Sequence, residues 1–202
     1  MFTNKFQLLK GGGEKNRAAE KARLRSYMKE RRGDNENRDV KEALLVENFR
    51  KVLETEWGRR ANSFLVYLSF SSEAPTDRLI EALLAAGKTV YCPRVAGEDL
   101  EAVLYGEELA LSDFGIREPT GEPFLGEIDV CVVPLLAVDG DGNRLGYGKG
   151  YYDRFLRKTK AAAVGFCFDF QVLKSVPTEE WDKPMAAVVT DKRVVFCGRE
   201  TR

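Results

Sequence analysis

The sequence predicts a three-layer α/β/α sandwich on a largely parallel central sheet. Short apolar runs of strand type alternate with helix-forming segments along most of the chain. The run from Ile128 to Val133 is apolar at almost every position, as expected of a central strand covered on both faces. No internal repeat and no domain-sized linker interrupts the 202 residues.

Taken in order, residues 1–13 end in Gly11-Gly12-Gly13 and read as a flexible N-terminal extension, with 14–202 a single domain. Residues 14–32 are rich in Ala, Glu, Lys and Arg, a helix composition. Residues 38–57 predict a second helix, with Val40, Leu44, Phe49, Val52, Leu53 and Trp57 near helical spacing. The first strand is expected over Phe64–Phe70. Thr76 then offers an N-cap to the helix RLIEALLAA, and Gly87 a stop. Strands follow at Thr89–Cys92, ended by Pro93, at Glu101–Tyr105 and at Ile128–Val133. A Gly-rich loop covers 134–149 and a helix Tyr151–Lys158. The last strands are Ala163–Phe168, Ala186–Thr190 and Arg193–Cys197.

Composition narrows the chemistry. Acidic and basic residues balance at 32 each, so no global field draws the chain onto nucleic acid. Residues 1–32 nevertheless hold ten Lys or Arg against three Glu, a basic arm suited to a local anion such as a phosphate-rich ligand. There is no His, which excludes His-based triads, His metal sites and imidazole acid–base catalysis. Cys92, Cys131, Cys167 and Cys197 match no zinc or redox spacing and read as reduced, mostly buried thiols of a cytoplasmic protein. No apolar stretch approaches the roughly 18 residues of a membrane helix.

The most informative stretch is Asp139–Phe155, DGDGNRLGYGKGYYDRF. It follows a strand and opens a helix. Gly146, Gly148 and Gly150 alternate, with Arg144 and Lys149 among them. Glycines permit positive φ and close backbone approach, backbone N–H groups at a helix start bind anions, and the cations add charge. This is a phosphate cradle in chemical terms, though neither GxxxxGK[ST] nor the dinucleotide fingerprint.

At these residues the chain resembles the 5-formyltetrahydrofolate cyclo-ligase family, whose core reads RLGxGxGYYDxxL. KARLR at 21–25 is similar to the family's KxxLR, and YLSFSSEAPT at 67–76 to its strand–Glu–Thr segment. GKTVYCPRV at 87–95, FGIREP at 114–119 and QVLKSVPTEEWDKPMAAVVT at 171–190 resemble further landmarks in the expected order. Two positions depart from the pattern. Trp181 stands where many relatives have His, and Leu135 follows Pro134 where Gly is usual.

The resemblance implies ATP- and Mg2+-dependent closure of 5-formyltetrahydrofolate to 5,10-methenyltetrahydrofolate, with phosphoryl transfer to the formyl oxygen activating the carbon. Such a step needs positioning and charge neutralisation more than a strong base. Lys21 and Arg25 share one helix face and would contact ATP, together with Arg144, Leu145, Gly146, Tyr147, Gly148, Lys149, Gly150, Tyr151 and Tyr152. Leu68, Glu73 and Tyr147 to Tyr151 would contact the folate, with Glu73 accepting the pterin's paired N–H groups. Arg144 and Lys149 would stabilise the moving phosphoryl group, and Asp153 and Asp182 would hold Mg2+. The implied partners are ATP and the folate, with neither nucleic acid nor membrane; the sequence leaves the oligomeric state open, with a monomer favoured. Two rival readings are a non-catalytic folate- or nucleotide-binding relative and a sugar-phosphate isomerase or transferase. The weakest is a nucleic-acid-interacting protein using the basic arm.

Overall fold

The structure, a computed structural model, describes residues 14–106, 108–112, 115–179 and 182–198. The expected N-terminal extension and Trp181 lie outside the described residues. The chain begins with helix α1 (Glu14–Gly33), then α2 (Arg38–Leu53) and the short α3 (Glu56–Arg60). The single helix expected over 38–57 is therefore two. The Thr55 hydroxyl donates to Val52 O at 2.7 Å and accepts from Gly58 N at 3.0 Å, which stops one helix and caps the next. Gly58 is required there, since an added Cβ would lie 2.0 Å from Val52 O.

Strand β1 (Ser63–Val66) leads through an irregular stretch to α4 (Asp77–Ala85), and β2 (Thr89–Ala96) pairs with β3 (Asp99–Leu104) in a hairpin. The strand expected to reach Phe70 stops at Val66, because the Thr76 hydroxyl bridges the chain beyond it. That hydroxyl donates to Tyr67 O at 2.6 Å and accepts from Ser69 N at 3.2 Å. Thr76 stands at the N-cap position of α4 but makes no side-chain cap bond. Gly87 does end the helix, at φ +73°. Pro93 does not end β2. Pairing with β1 finishes at Tyr91, and past that point β2 pairs with β3 alone, an edge position that tolerates proline.

A second hairpin, β4 (Leu109–Leu111) with β5 (Arg117–Pro119), was not legible in the sequence. The chain then enters β6 (Val130–Val133). The expected loop over 134–149 contains β7 (Ala137–Asp139) and β8 (Arg144–Leu145). Their turn is organised by the Asp139 carboxylate, which accepts from Asp141 N and Asn143 N and also from Val176 N. Helix α5 (Tyr151–Lys158), β9 (Ala162–Phe166), β10 (Val172–Leu173), β11 (Ala187–Val189) and β12 (Val194–Phe196) complete the chain.

The seven-stranded sheet runs β12-β11-β9-β6-β1-β2-β3, parallel at its centre and antiparallel at both edges. Alternation along β6 sends Val130 and Val132 to one face, where Leu45, Phe49 and Val52 of α2 and Leu79, Ile80 and Leu83 of α4 cover them. Cys131 and Val133 face Leu156 of α5 on the other side. That is the three-layer sandwich the sequence predicts. α1 packs elsewhere. Its Leu24 and Met28 meet Leu136, Ala137, Leu145 and Val176 around the small sheet β10-β7-β8. All four cysteines are free, and three are buried.

Candidate functional site

Sheet order fixes where a site can form. From β1 the chain moves outward to β2 on one side, then crosses to β6 on the other. The carboxyl ends of β1 and β6 therefore diverge and leave a crevice, the usual ligand position in open α/β sheets. A cleft of about 590 Å3 opens there, lined by Tyr67 and Leu68 after β1 and by Pro134 after β6. Every binding, catalytic or metal residue named from the sequence lines this one cleft: Lys21 and Arg25 of α1, Leu68 and Glu73, Arg144 to Asp153, and Asp182.

The glycine loop forms the floor. Arg25 Nε donates to Gly146 O at 3.0 Å, and Gly148 sits at φ +101° beneath the same guanidinium. A Cβ at Gly148 would lie 3.2 Å from Arg25 Cζ, so both conformation and space demand glycine. Gly150, at φ +71°, opens α5 without a side-chain cap. The first N–H groups of α5 thus lack side-chain partners at the cleft edge. Gly146 differs. Its φ is not positive, and nothing lies within 4 Å of an added Cβ. The conformational argument for glycine fails at this position; only ligand approach remains.

Charges on one wall are interlocked. Lys21 Nζ lies 3.0 Å from Glu179 Oε1 and 3.5 Å from Asp182 Oδ2, which also accepts from Glu179 N at 2.9 Å. The nearly buried Arg144 donates to Asp153 Oδ1 at 2.5 Å and to Lys183 O at 3.0 Å. Arg144 thereby ties Asp153 to the segment carrying Asp182, although 29 residues separate the two aspartates. Among the described residues, no three His, Cys, Asp or Glu side chains converge closely enough to hold a metal by themselves. Two carboxylates nevertheless suit magnesium, which usually takes one or two together with substrate phosphates and waters. Asp153 and Asp182 each use one oxygen in the protein contacts above, so the hard-oxygen donor set fits that ion.

The opposite wall is apolar and aromatic, with Tyr67, Leu68, Phe70, Val95, Ile116 and Tyr151. Glu73 is buried at its edge and accepts from Phe70 N at 3.0 Å. Burial pushes its pKa up, against the pull of the Phe70 N–H, Arg32 and Tyr147. Burial beside that carboxylate lifts the Tyr147 phenol to about 12.

Sequence reasoning missed Glu179 and the β5 residues Arg117 and Glu118 at the cleft, and Arg32 buried behind it. Arg32 had a signal: positions 21, 25, 28 and 32 follow the 4–3–4 spacing of one helix face. FGIREP was noted as a landmark but given no role. The Leu135 departure is accommodated by Gly165, where an added Cβ would come within 2.9 Å of Leu135 Cδ2.

Residues 17–191 match the model of the 5-formyltetrahydrofolate cyclo-ligase family. The 5-formyltetrahydrofolate cyclo-ligase of Escherichia coli is 38% identical over 146 residues, 66% of this chain and 80% of that one. The probable enzyme of Caenorhabditis elegans is 28% identical over 87% of this chain and 95% of its own. The solution structure of Aquifex aeolicus 5,10-methenyltetrahydrofolate synthetase superposes with a TM-score of 0.76, at 31% identity, covering 90% of this chain and 94% of that one. The Mycoplasma pneumoniae synthetase shares the fold at a TM-score of 0.68 and 20% identity, over 85% and 98%.

Proposed function

The chain belongs to the 5-formyltetrahydrofolate cyclo-ligase family, and from that premise we propose that the cleft at the β1/β6 crevice is where it performs the family's ATP-dependent cyclisation. The observation that carries this assignment is the convergence of one wall of paired cations and carboxylates and one aromatic wall over a single glycine loop. A triphosphate and a pterin need those two environments side by side.

In this reading the γ-phosphoryl group passes to the formyl oxygen of 5-formyltetrahydrofolate, leaving ADP. The neighbouring folate nitrogen then attacks the activated carbon, and the C–O bond breaks to release phosphate. Lys21, Arg25 and the loop backbone from Leu145 to Tyr152 hold the nucleotide phosphates. Lys149 faces the moving group. Arg144 acts chiefly by fixing Asp153, because its contacts are with Asp153 and Lys183 O. Leu68, Glu73 and Tyr147 to Tyr151 hold the pterin, with Glu73 accepting its N–H groups. Asp153 and Asp182 hold Mg2+, which when bound would neutralise phosphate charge. The four free thiols suit a cytoplasmic setting.

Purified protein with 5-formyltetrahydrofolate should develop the near-ultraviolet absorbance of the methenyl product only when ATP and magnesium are both present. A flat trace from folded protein at high concentration would reduce the chain to a binding-only relative.

A further inference from the structure

Arg32 lies at the last turn of α1, only 3% exposed, and no carboxylate among the described residues lies within ion-pair distance of it. A buried guanidinium without such a partner is costly unless its hydrogen bonds are filled and a countercharge is near. Each of its three nitrogens has a partner. Nε donates to Ser72 Oγ at 3.0 Å, Nη1 to Leu135 O at 3.4 Å and Nη2 to the Tyr147 hydroxyl. The Tyr147 hydroxyl and the Glu73 carboxylate both line the cleft and stand close enough to influence one another, so Glu73 is the nearby countercharge. Arg32 therefore reaches the surroundings of Glu73 by two routes, through the Tyr147 hydroxyl and through Ser72, the residue before Glu73 in the chain.

We propose that Arg32 and Tyr147 form a positioning pair that aims the Glu73 carboxylate into the cleft and keeps it ionised for the folate. The proposal rests on the reading of Glu73 as the pterin acceptor. Its function is to let an acid that is buried for specificity remain an acceptor. Tyr147 occupies a position of the loop that the glycine pattern leaves open, so the pair is a property of this sequence and not of the glycine motif. Four groups besides the pair face Glu73. The Phe70 N–H holds Oε2, Arg38 of α2 binds the Glu73 backbone carbonyl, and the phenols of Tyr67 and Tyr152 stand close enough to feel its charge. Both phenols stay neutral well above physiological pH, so the permanent positive charge near Glu73 comes from Arg38, held at the backbone carbonyl, and from Arg32, which pulls on the carboxylate itself.

The test is the pH dependence of the folate KM in Arg32→Met, Tyr147→Phe and Glu73→Gln, with Arg32→Lys as the conservative rescue. Wild type should lose folate affinity as pH falls through the Glu73 pKa. Removing Arg32 raises that pKa further. In Arg32→Met the acidic limb should move to higher pH, with the folate KM rising about tenfold per pH unit of displacement below it. The ATP KM should change little. Tyr147→Phe should shift the limb in the same direction, and Arg32→Lys should return it partway. Glu73→Gln should abolish the limb. If Glu73→Gln abolishes it but Arg32→Met and Tyr147→Phe leave it in place, the pair has only a packing role and the proposal is wrong. If Glu73→Gln itself keeps normal folate affinity and the same limb, the pterin reading of Glu73 is wrong instead. Should Arg32→Met fail to fold, Tyr147→Phe, which loses only a hydroxyl, decides.

Discussion

Gly146 has open space where a methyl group would go, and a backbone conformation any residue can adopt. Gly146→Ala should therefore fold normally and gain about 0.4–1 kcal/mol from reduced unfolded-state entropy. If a phosphate approaches the backbone there, the same variant should raise the ATP KM. A thermal melt beside initial-rate kinetics checks both, and an unchanged ATP KM would remove Gly146 from the nucleotide contact. Asp153 and Asp182 are tested in the same spirit. Asn at either position preserves a hydrogen-bond acceptor for Arg144 or Lys21 while removing charge. Second-sphere partners of a metal typically cost about 10–100-fold in affinity, so a direct ligand should cost at least about tenfold. Titrating turnover with magnesium should show each variant shifted to higher concentration. The double variant should shift less than the product of the two, because both act on one ion. Independent, fully multiplicative effects would detach the two aspartates from a common metal.

Elements were legible in the sequence where a local signal decided them. The glycine loop, α5 and the strand Val130–Val133 follow from turn chemistry, periodicity and continuous apolarity. The break at Thr55, the β4–β5 hairpin and the run of β2 through Pro93 did not: the first depends on a hydroxyl bonding Val52 O and Gly58 N, which helical periodicity does not register, and the other two on strand pairing. The crevice itself was illegible from local pattern. It exists because β6 lies beside β1, an order no neighbouring residues encode. Asp129 is one of the residues that enforce it. Its Oδ2 accepts from Asn62 N at 2.8 Å, Ser63 N at 2.9 Å and Ser63 Oγ at 2.9 Å, binding the start of β6 to the start of β1. Partial burial raises its pKa, but those bonds and Lys88 outweigh it and hold the carboxyl below its ordinary value. A depressed folded-state pKa means stability that is present above the unfolded value and lost as pH falls through the folded one. Asp129→Asn should thus lower stability near neutral pH by about 1 kcal/mol, discounted for solvent screening, and the difference should fade as pH falls through the depressed folded-state value. Denaturant melts of both proteins across pH would show it, and a pH-independent difference would rule out the charge as its source.

Across the whole molecule, α1 stands apart from the sandwich it completes. α2 buries Leu45, Phe49 and Val52 in the main core, whereas α1 commits only Leu24 and Met28 to the small sheet's cluster. Its other long-range ties include Lys21 and Arg25 at the cleft, Arg32 behind it, and Lys29 and Arg31 over the rings of Tyr147 and Phe170. A helix with few buried apolar contacts opens at lower free energy than the body it covers. Ligands that bridge α1 to the glycine loop should therefore stabilise this helix before anything else. Under saturation at about a hundredfold above Kd, linkage supplies about 2.7 kcal/mol, which corresponds to roughly a hundredfold slowing of exchange. Hydrogen exchange should accordingly show amides in the middle of α1 protected on adding ATP, magnesium and folate, while α2 amides that open by local fluctuation keep their rates. Lys21→Ala and Arg25→Ala should each weaken ATP binding by about 1–3 kcal/mol and should also remove most of the ATP-induced protection in α1. Met28→Ala provides the complementary case, because Met28 is fully buried yet does not line the cleft. Loosening α1 there should raise the KM of ATP and folate together, since Lys21, Arg25 and Arg32 are displaced as a set. If ligands instead slow α1 and α2 by one common factor, α1 is no separate unit, and the two substrates are organised by the sheet and its glycine loop alone.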